Sequence, residues 1–265
     1  KKSVTVDITK PEGQDIIRKL VAECDVLLEN YKVGGLKKYG LDYESLSEIN
    51  PGLVYCSITG FGQTGPYSPR AGYDFLIQAM GGLMSVTGEA ESKPGGGPQK
   101  IGVALSDILT GLYTVIGALS ALAYRDKTGR GQHVDMALLD VTVASMANQA
   151  MNYLVAGKSP TTMGNAHPNI VPYEAYKAAD HYIILAVGND AQFRRFCEVA
   201  GRVDLADDDS YATNRNRVGN RDVLGPVLND IIAAKPRAFW LEELEKVGVP
   251  CGPINNLEQV FDDPH

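Results

Sequence analysis

Paired cysteines are missing from this chain of 265 residues: Cys24, Cys56, Cys197 and Cys251 stand singly, with no Cys-x-x-Cys. That argues against a disulfide scaffold or a cysteine-rich zinc module, and it reads as a reduced, intracellular protein. The four histidines, His133, His167, His181 and His265, show neither HExxH nor paired metal spacing, so no dedicated metal site is expected. Long runs of one charge are missing too. The net charge is −7 with a pI near 5.2, and an acidic balance without a basic patch argues against nucleic-acid partners and docking on anionic membranes. No apolar run reaches the ~18–20 residues expected of a membrane span, and Lys1 to Asp7 has no signal-peptide pattern. The expected location is the cytoplasm, or the mitochondrial matrix in a eukaryote. Three further motifs are lacking: a GxxxxGK[ST] phosphate loop, a GxGxxG opening a helix after a strand, and a GxSxG nucleophile elbow. Nucleotide hydrolysis, nicotinamide-dependent hydride transfer and serine hydrolysis lose support with them.

What is present is a length sufficient for one large domain or two modest ones, and 28 glycines with 14 prolines clustered in connections. Ser3 to Ile8 alternates like a strand, and a helix follows around Glu12 to Ala22. Asp25 to Glu29 reads as a strand, 42–50 as a short helix stopped by Pro51, and Leu53 to Thr59 as a buried strand. Strand and helix alternating at this spacing predict a parallel βαβ sheet, with the ligand crevice beyond the carboxyl ends of the strands. Helices are predicted over 74–85 and 106–125, a strand over 132–137, and one helix over about 140–156. The Gly/Pro-rich stretch 157–172 reads as a linker or mobile loop. Beyond it, 173–177 and 182–187 read as antiparallel strands, and helices dominate to about Val247. The predicted organisation is α/β: residues 1–155 in a large parallel-sheet domain, 156–250 in a smaller α+β domain, and 251–265 returning to the large domain. The ends read as those of a fragment.

Asp107 is the acidic residue in an odd place. It lies in Gly102-Val-Ala-Leu-Ser-Asp107-Ile-Leu-Thr-Gly111, where an apolar strand-like run meets an apolar helix. One reading makes it a helix cap or first-turn residue. The other makes it a carboxylate held ionised as a nucleophile toward an acyl group. A second polar cluster, Arg70-Ala-Gly-Tyr73-Asp74, follows the glycine-rich loop Gly60 to Pro66.

An ordered set of short motifs then resembles the family III CoA-transferases: Asn30-Tyr31, Ser57-Ile-Thr-Gly-Phe-Gly62, Ala71-Gly-Tyr-Asp74, Ser106-Asp107, Lys127-Thr-Gly-Arg-Gly-Gln132 and Gly252-Pro-Ile-Asn255. Each motif alone is weak, but their order along nearly the whole chain is specific. The group includes formyl-CoA, carnitine-CoA and succinate–hydroxymethylglutarate CoA-transferases and α-methylacyl-CoA racemase. The resemblance implies a Rossmann-like large domain, a small domain and two chains interlocked as a homodimer. It implies further segments before Lys1 and after His265, with part of the CoA site in the leading one. No tightly bound cofactor is implied; a coenzyme A thioester and a free carboxylic acid are the substrates.

On the resemblance, Asp107 matches the covalent aspartate, with Tyr73 and Asp74 beside it. Asn30 and Tyr31 match positions at the adenosine end of CoA, while Lys38 and Arg70 match basic CoA contacts, the last shifted by the extra Gly72. Gly164, Asn165, Ala166 and His167 match a glycine-rich substrate loop, in which His167 could instead contact a substrate carboxylate. The racemase branch carries histidine where this chain has Tyr73. A phenol with pKa near 10 is a poor base near neutrality. The implied function is therefore transfer of CoA from an acyl-CoA to a carboxylic acid, with a dicarboxylate branch closest. The alternatives are a racemase-type enzyme and a non-catalytic fragment.

Overall fold

The computed structural model describes residues 2–265, which form two compact units divided between Thr162 and Met163. In the first unit, Pro11 at the opening position, Glu12 in the first turn and Arg18 and Lys19 in the last suit helix α1 (Pro11–Val21) to its own dipole. Strand β1 (Val26–Glu29) follows, then α2 (Tyr43–Ile49) and β2 (Val54–Thr59). After α3 (Asp74–Met80) and the long α4 (Leu105–Thr128) comes β3 (His133–Ala137). The three strands pair in parallel in the order β1-β2-β3, Val26 opposite Val54 and Tyr55 opposite His133.

The central strand is buried on both faces, as parallel sheets require. Leu53 and Tyr55 pack with Val21, Leu41 and Leu46 of the α1/α2 side, while Val54 and Cys56 pack with Ala121 of α4. That alternation is the two-residue period of a strand. α4 comes close because it carries Gly117, where a β-carbon would lie 2.9 Å from a Val134 methyl. Contrary to the sequence expectation, α4 has 24 residues and is long and apolar enough, by length and composition, to cross a membrane.

Two more expectations are corrected. Residues 3–7 belong to no strand, Ile8 already lies in a turn, and Val4 is exposed; alternation makes a strand only where an open edge offers hydrogen bonds. The helix predicted over 140–156 is two, α5 (Leu138–Ser145) and α6 (Ala147–Ala156), broken where Ala147 takes a φ of 44°.

In the second unit, β4 (Tyr173–Lys177) and β5 (Tyr182–Ala186) form the predicted antiparallel pair. Helices α7 (Asp190–Val199), α8 (Val203–Asp207), α9 (Asn214–Gly219), α10 (Arg221–Ala233) and α11 (Arg237–Lys246) follow. They bury Phe193, Phe196, Leu224, Leu228, Trp240 and Leu244 against the sheet. The segment 251–265 opens with β6 (Cys251–Pro253), which pairs antiparallel with β5. Short α12 (Leu257–Phe261) starts from a reciprocal Asn256–Gln259 cap.

Within the stretch read as a linker or mobile loop, residues 167–171 are tied down in the second unit. Arg221 donates to the carbonyls of His167 (2.7 Å) and Pro168 (3.0 Å), and Asn214 donates to that of Asn169. Arg217, fully buried, donates to the Val171 carbonyl at 2.7 Å and pairs with Asp190 at 2.8 Å. A buried guanidinium with this many acceptors anchors the chain around it.

Candidate active site

The first unit gathers its polar side chains beyond the carboxyl ends of β1 and β2. β2 runs out at Thr59, and the backbone makes an excursion from Gly60 back to Gly72. The two glycines meet face to face, because a β-carbon on Gly60 would lie 2.5 Å from the Gly72 Cα. Any side chain at either position would force the excursion open. Thr59 Oγ1 accepts the Gly62 N–H at 3.0 Å, and Asp135, on β3, accepts that of Gln63 at 2.9 Å. Inside the excursion Phe61 and Tyr67 meet edge to face, with centroids 5.5 Å apart. The Arg70 guanidinium lies over both rings, at 5.2 and 4.6 Å. Cation–π contact of this kind fixes a charge without neutralising it. Among the described residues Arg70 has no carboxylate partner.

A cleft of about 650 Å³ opens here, lined among others by Asn30, Tyr31, Lys32, Arg70, Tyr73 and Asp107. Tyr31 is positioned by Glu29, whose carboxylate accepts its N–H at 2.7 Å. Tyr73 is 77% exposed. Five residues singled out in the sequence therefore share one cavity: Asn30, Tyr31, Arg70, Tyr73 and Asp107. Lys38 is not among them; it sits in a 3-10 turn at Lys37–Tyr39, its ammonium 4.7 Å from the Tyr39 ring. Gly164 to His167 lie in the second unit, where His167 Nδ1 accepts the Asn169 N–H at 3.1 Å and its ring tilts over Tyr173.

Asp107 occupies the first turn of α4, yet it does not cap that helix. The cap position falls on Ala104, which has no polar side chain. Asp74 does the work from another element: its Oδ1 accepts the Ser106 N–H at 2.8 Å and the Asp107 N–H at 3.4 Å. Its Oδ2 accepts from the Gln78 amide at 2.7 Å. Free N–H groups at a helix start need an acceptor, and with Asp74 supplying one, the Asp107 carboxylate is left facing the cleft. Its pKa is raised from the ordinary aspartate value, first by desolvation and then by the Asp74 charge. Ser106 is anchored from behind, its hydroxyl accepting from Thr142 at 2.8 Å.

Sequence reasoning missed Lys32, Asp135 and Gln78. Gln78 follows Asp74 by four residues, the spacing that puts two side chains on one helix face, and this signal could have found it.

The whole chain, residues 1–265, matches the model of CoA-transferase family III. The chain belongs to that family. It is 51% identical to a succinate–glutarate CoA-transferase of Agrobacterium fabrum over all of its own length and 65% of that protein. It is 44% identical to the human succinyl-CoA:glutarate CoA-transferase, again over its full length and 59% of the relative. The chain thus spans about 60–65% of these relatives. Among solved structures, a CAIB/BAIF family protein from Brucella suis superposes with a TM-score of 0.83 at 56% identity, over 99% of this chain and 68% of the other. Rv3272 from Mycobacterium tuberculosis, at 30% identity and the same coverage, gives 0.87. In this family III chain, the cleft carboxylate freed from capping is Asp107.

Proposed function

We propose that the protein transfers CoA from an acyl-CoA to a free carboxylic acid, with Asp107 as the covalent nucleophile. The observation that carries this reading is the division of labour at the start of α4: Asp74 caps the helix, and among the described residues the Asp107 carboxylate, which lines the cleft, has no hydrogen-bond or ion-pair partner. A carboxylate in a partly desolvated site is a better nucleophile than one in bulk water.

The steps balance as acyl exchanges. An Asp107 oxygen attacks the thioester carbonyl, the C–S bond breaks, and CoA leaves as thiolate, giving a mixed anhydride. The thiolate attacks the aspartyl carbonyl of that anhydride and releases the donor's acid, leaving an aspartyl-CoA thioester. The acceptor carboxylate then attacks this thioester and expels CoA again, forming a second anhydride. Attack of the thiolate on the acceptor carbonyl yields the new acyl-CoA and frees Asp107. Positioning supplies much of the rate.

Asn30, Tyr31 and Arg70 are proposed to hold CoA, with Lys38 as an outlying basic contact. Tyr73 is proposed to orient the acyl group. The relatives' names include transferases for glutarate, oxalate, mesaconate and D-citramalate, which supports a dicarboxylic acceptor and succinyl-CoA as first donor. The interlocked homodimer is proposed on the family resemblance alone. The test is a donor–acceptor panel with the full-length protein, succinyl-CoA and glutarate first, against Asp107→Asn. Transfer that depends on Asp107 supports the reading. Deuterium entering the α-carbon of an acyl-CoA without any acceptor acid would instead mark a racemase.

A further inference from the structure

We propose that Gln78 is the positioning residue for Asp107, acting through Asp74; this rests on the reading of Asp107 as nucleophile. Gln78 lies on α3 and is fully buried, an uncommon place for an amide. Three contacts occupy it. Its Nε2 donates to Asp74 Oδ2 at 2.7 Å and to the Val103 carbonyl at 3.3 Å, and its Oε1 accepts the Ile101 N–H at 3.0 Å.

Those partners define its action. Ile101 and Val103 belong to the segment, bent at 102 and 103, that delivers the chain into α4, so the amide fixes the approach to the helix. Asp74 is the trans cap of the same helix, and the Gln78 donor fixes the rotation of its carboxylate. With one oxygen held by Gln78, the other is aimed at the Ser106 and Asp107 N–H groups. One amide thus sets both the segment before Asp107 and the acceptor for its first turn. Gln78 is not among the residues lining the cleft. Its influence on a reaction there passes through the placement of Asp107, so substrate binding should be spared.

The substitution Gln78→Met keeps the side-chain length and removes all three hydrogen bonds. In the full-length protein it should lower kcat about ten- to a hundredfold, the cost of a nucleophile misplaced by about 1 Å, with KM for succinyl-CoA unchanged within about twofold. Combined with Asp74→Asn, it should add little further loss, because both act along one path. Hydroxylamine trapping of acylated Asp107 should slow in parallel with kcat. If Gln78→Met does not fold, Gln78→Glu, which retains an acceptor for Ile101 and loses the donor to Asp74, is measured the same way. Wild-type trapping at Asp107 with an unaltered kcat in the folded variant overturns the positioning role alone. A loss confined to KM, or fully multiplicative effects with Asp74→Asn, also overturns it. No trapping at Asp107 in the wild type overturns the nucleophile reading and this proposal together.

Discussion

Replacing Asp74 with alanine removes an acceptor used by two elements at once. The α4 start loses its cap, worth about 0.5–2 kcal/mol. The buried Gln78 amide loses its 2.7 Å partner and keeps the longer 3.3 Å contact to Val103, a further loss of roughly 1–3 kcal/mol. Because one side chain makes both contacts, the two costs overlap, and the expected destabilisation is ~2–4 kcal/mol. For a protein of this size that is a drop in melting temperature of roughly 5–15 °C, read by circular dichroism. Asp74→Asn keeps an acceptor oxygen and should cost about 1 kcal/mol. It also removes the charge that helps raise the Asp107 pKa, so the acidic limb of kcat/KM should move to lower pH. An Asp74→Ala melt within about 1 °C of wild type would refute the trans cap. An unmoved acidic limb in Asp74→Asn would refute the electrostatic link.

Gly72→Ala should destabilise the first unit by ~1–3 kcal/mol by forcing its new methyl against Gly60, measured by urea unfolding. Asp107→Asn should raise, not lower, the melting temperature at neutral pH. A carboxyl whose pKa is raised on folding contributes stability below its unfolded pKa and loses it as pH rises through the folded one. The gain should therefore vanish in acid, and a cap role would give the opposite sign near neutrality. Tyr73→Phe should lower kcat about two- to tenfold, the loss of one hydrogen bond to substrate, and Tyr73→His should not create α-proton exchange detectable in deuterium oxide.

The parallel sheet of the first unit was legible because its signals are local: buried runs such as Leu53–Thr59 and helices between them. Asp107 was legible as an acid at a predicted helix start. What it does there was not, because the choice between cap and free carboxylate depends on Asp74, which meets α4 across 32 residues of sequence. The same holds for Cys251–Pro253, whose strand character comes from pairing with Leu185 to Ile183 rather than from its own Cys-Gly-Pro composition. Residues 3–8 show the converse, a strand pattern without a partner. The break at Ala147 carries no glycine or proline to announce it.

On the proposed mechanism Asp107 becomes acylated during turnover. Incubating the full-length protein with succinyl-CoA, quenching with hydroxylamine and mapping the product by peptide mass spectrometry tests it most directly. A hydroxamate on Asp107 is expected, absent without the thioester and absent in Asp107→Asn. Efficient CoA transfer with Asp107 unlabelled, or near-normal turnover in Asp107→Asn, would contradict it.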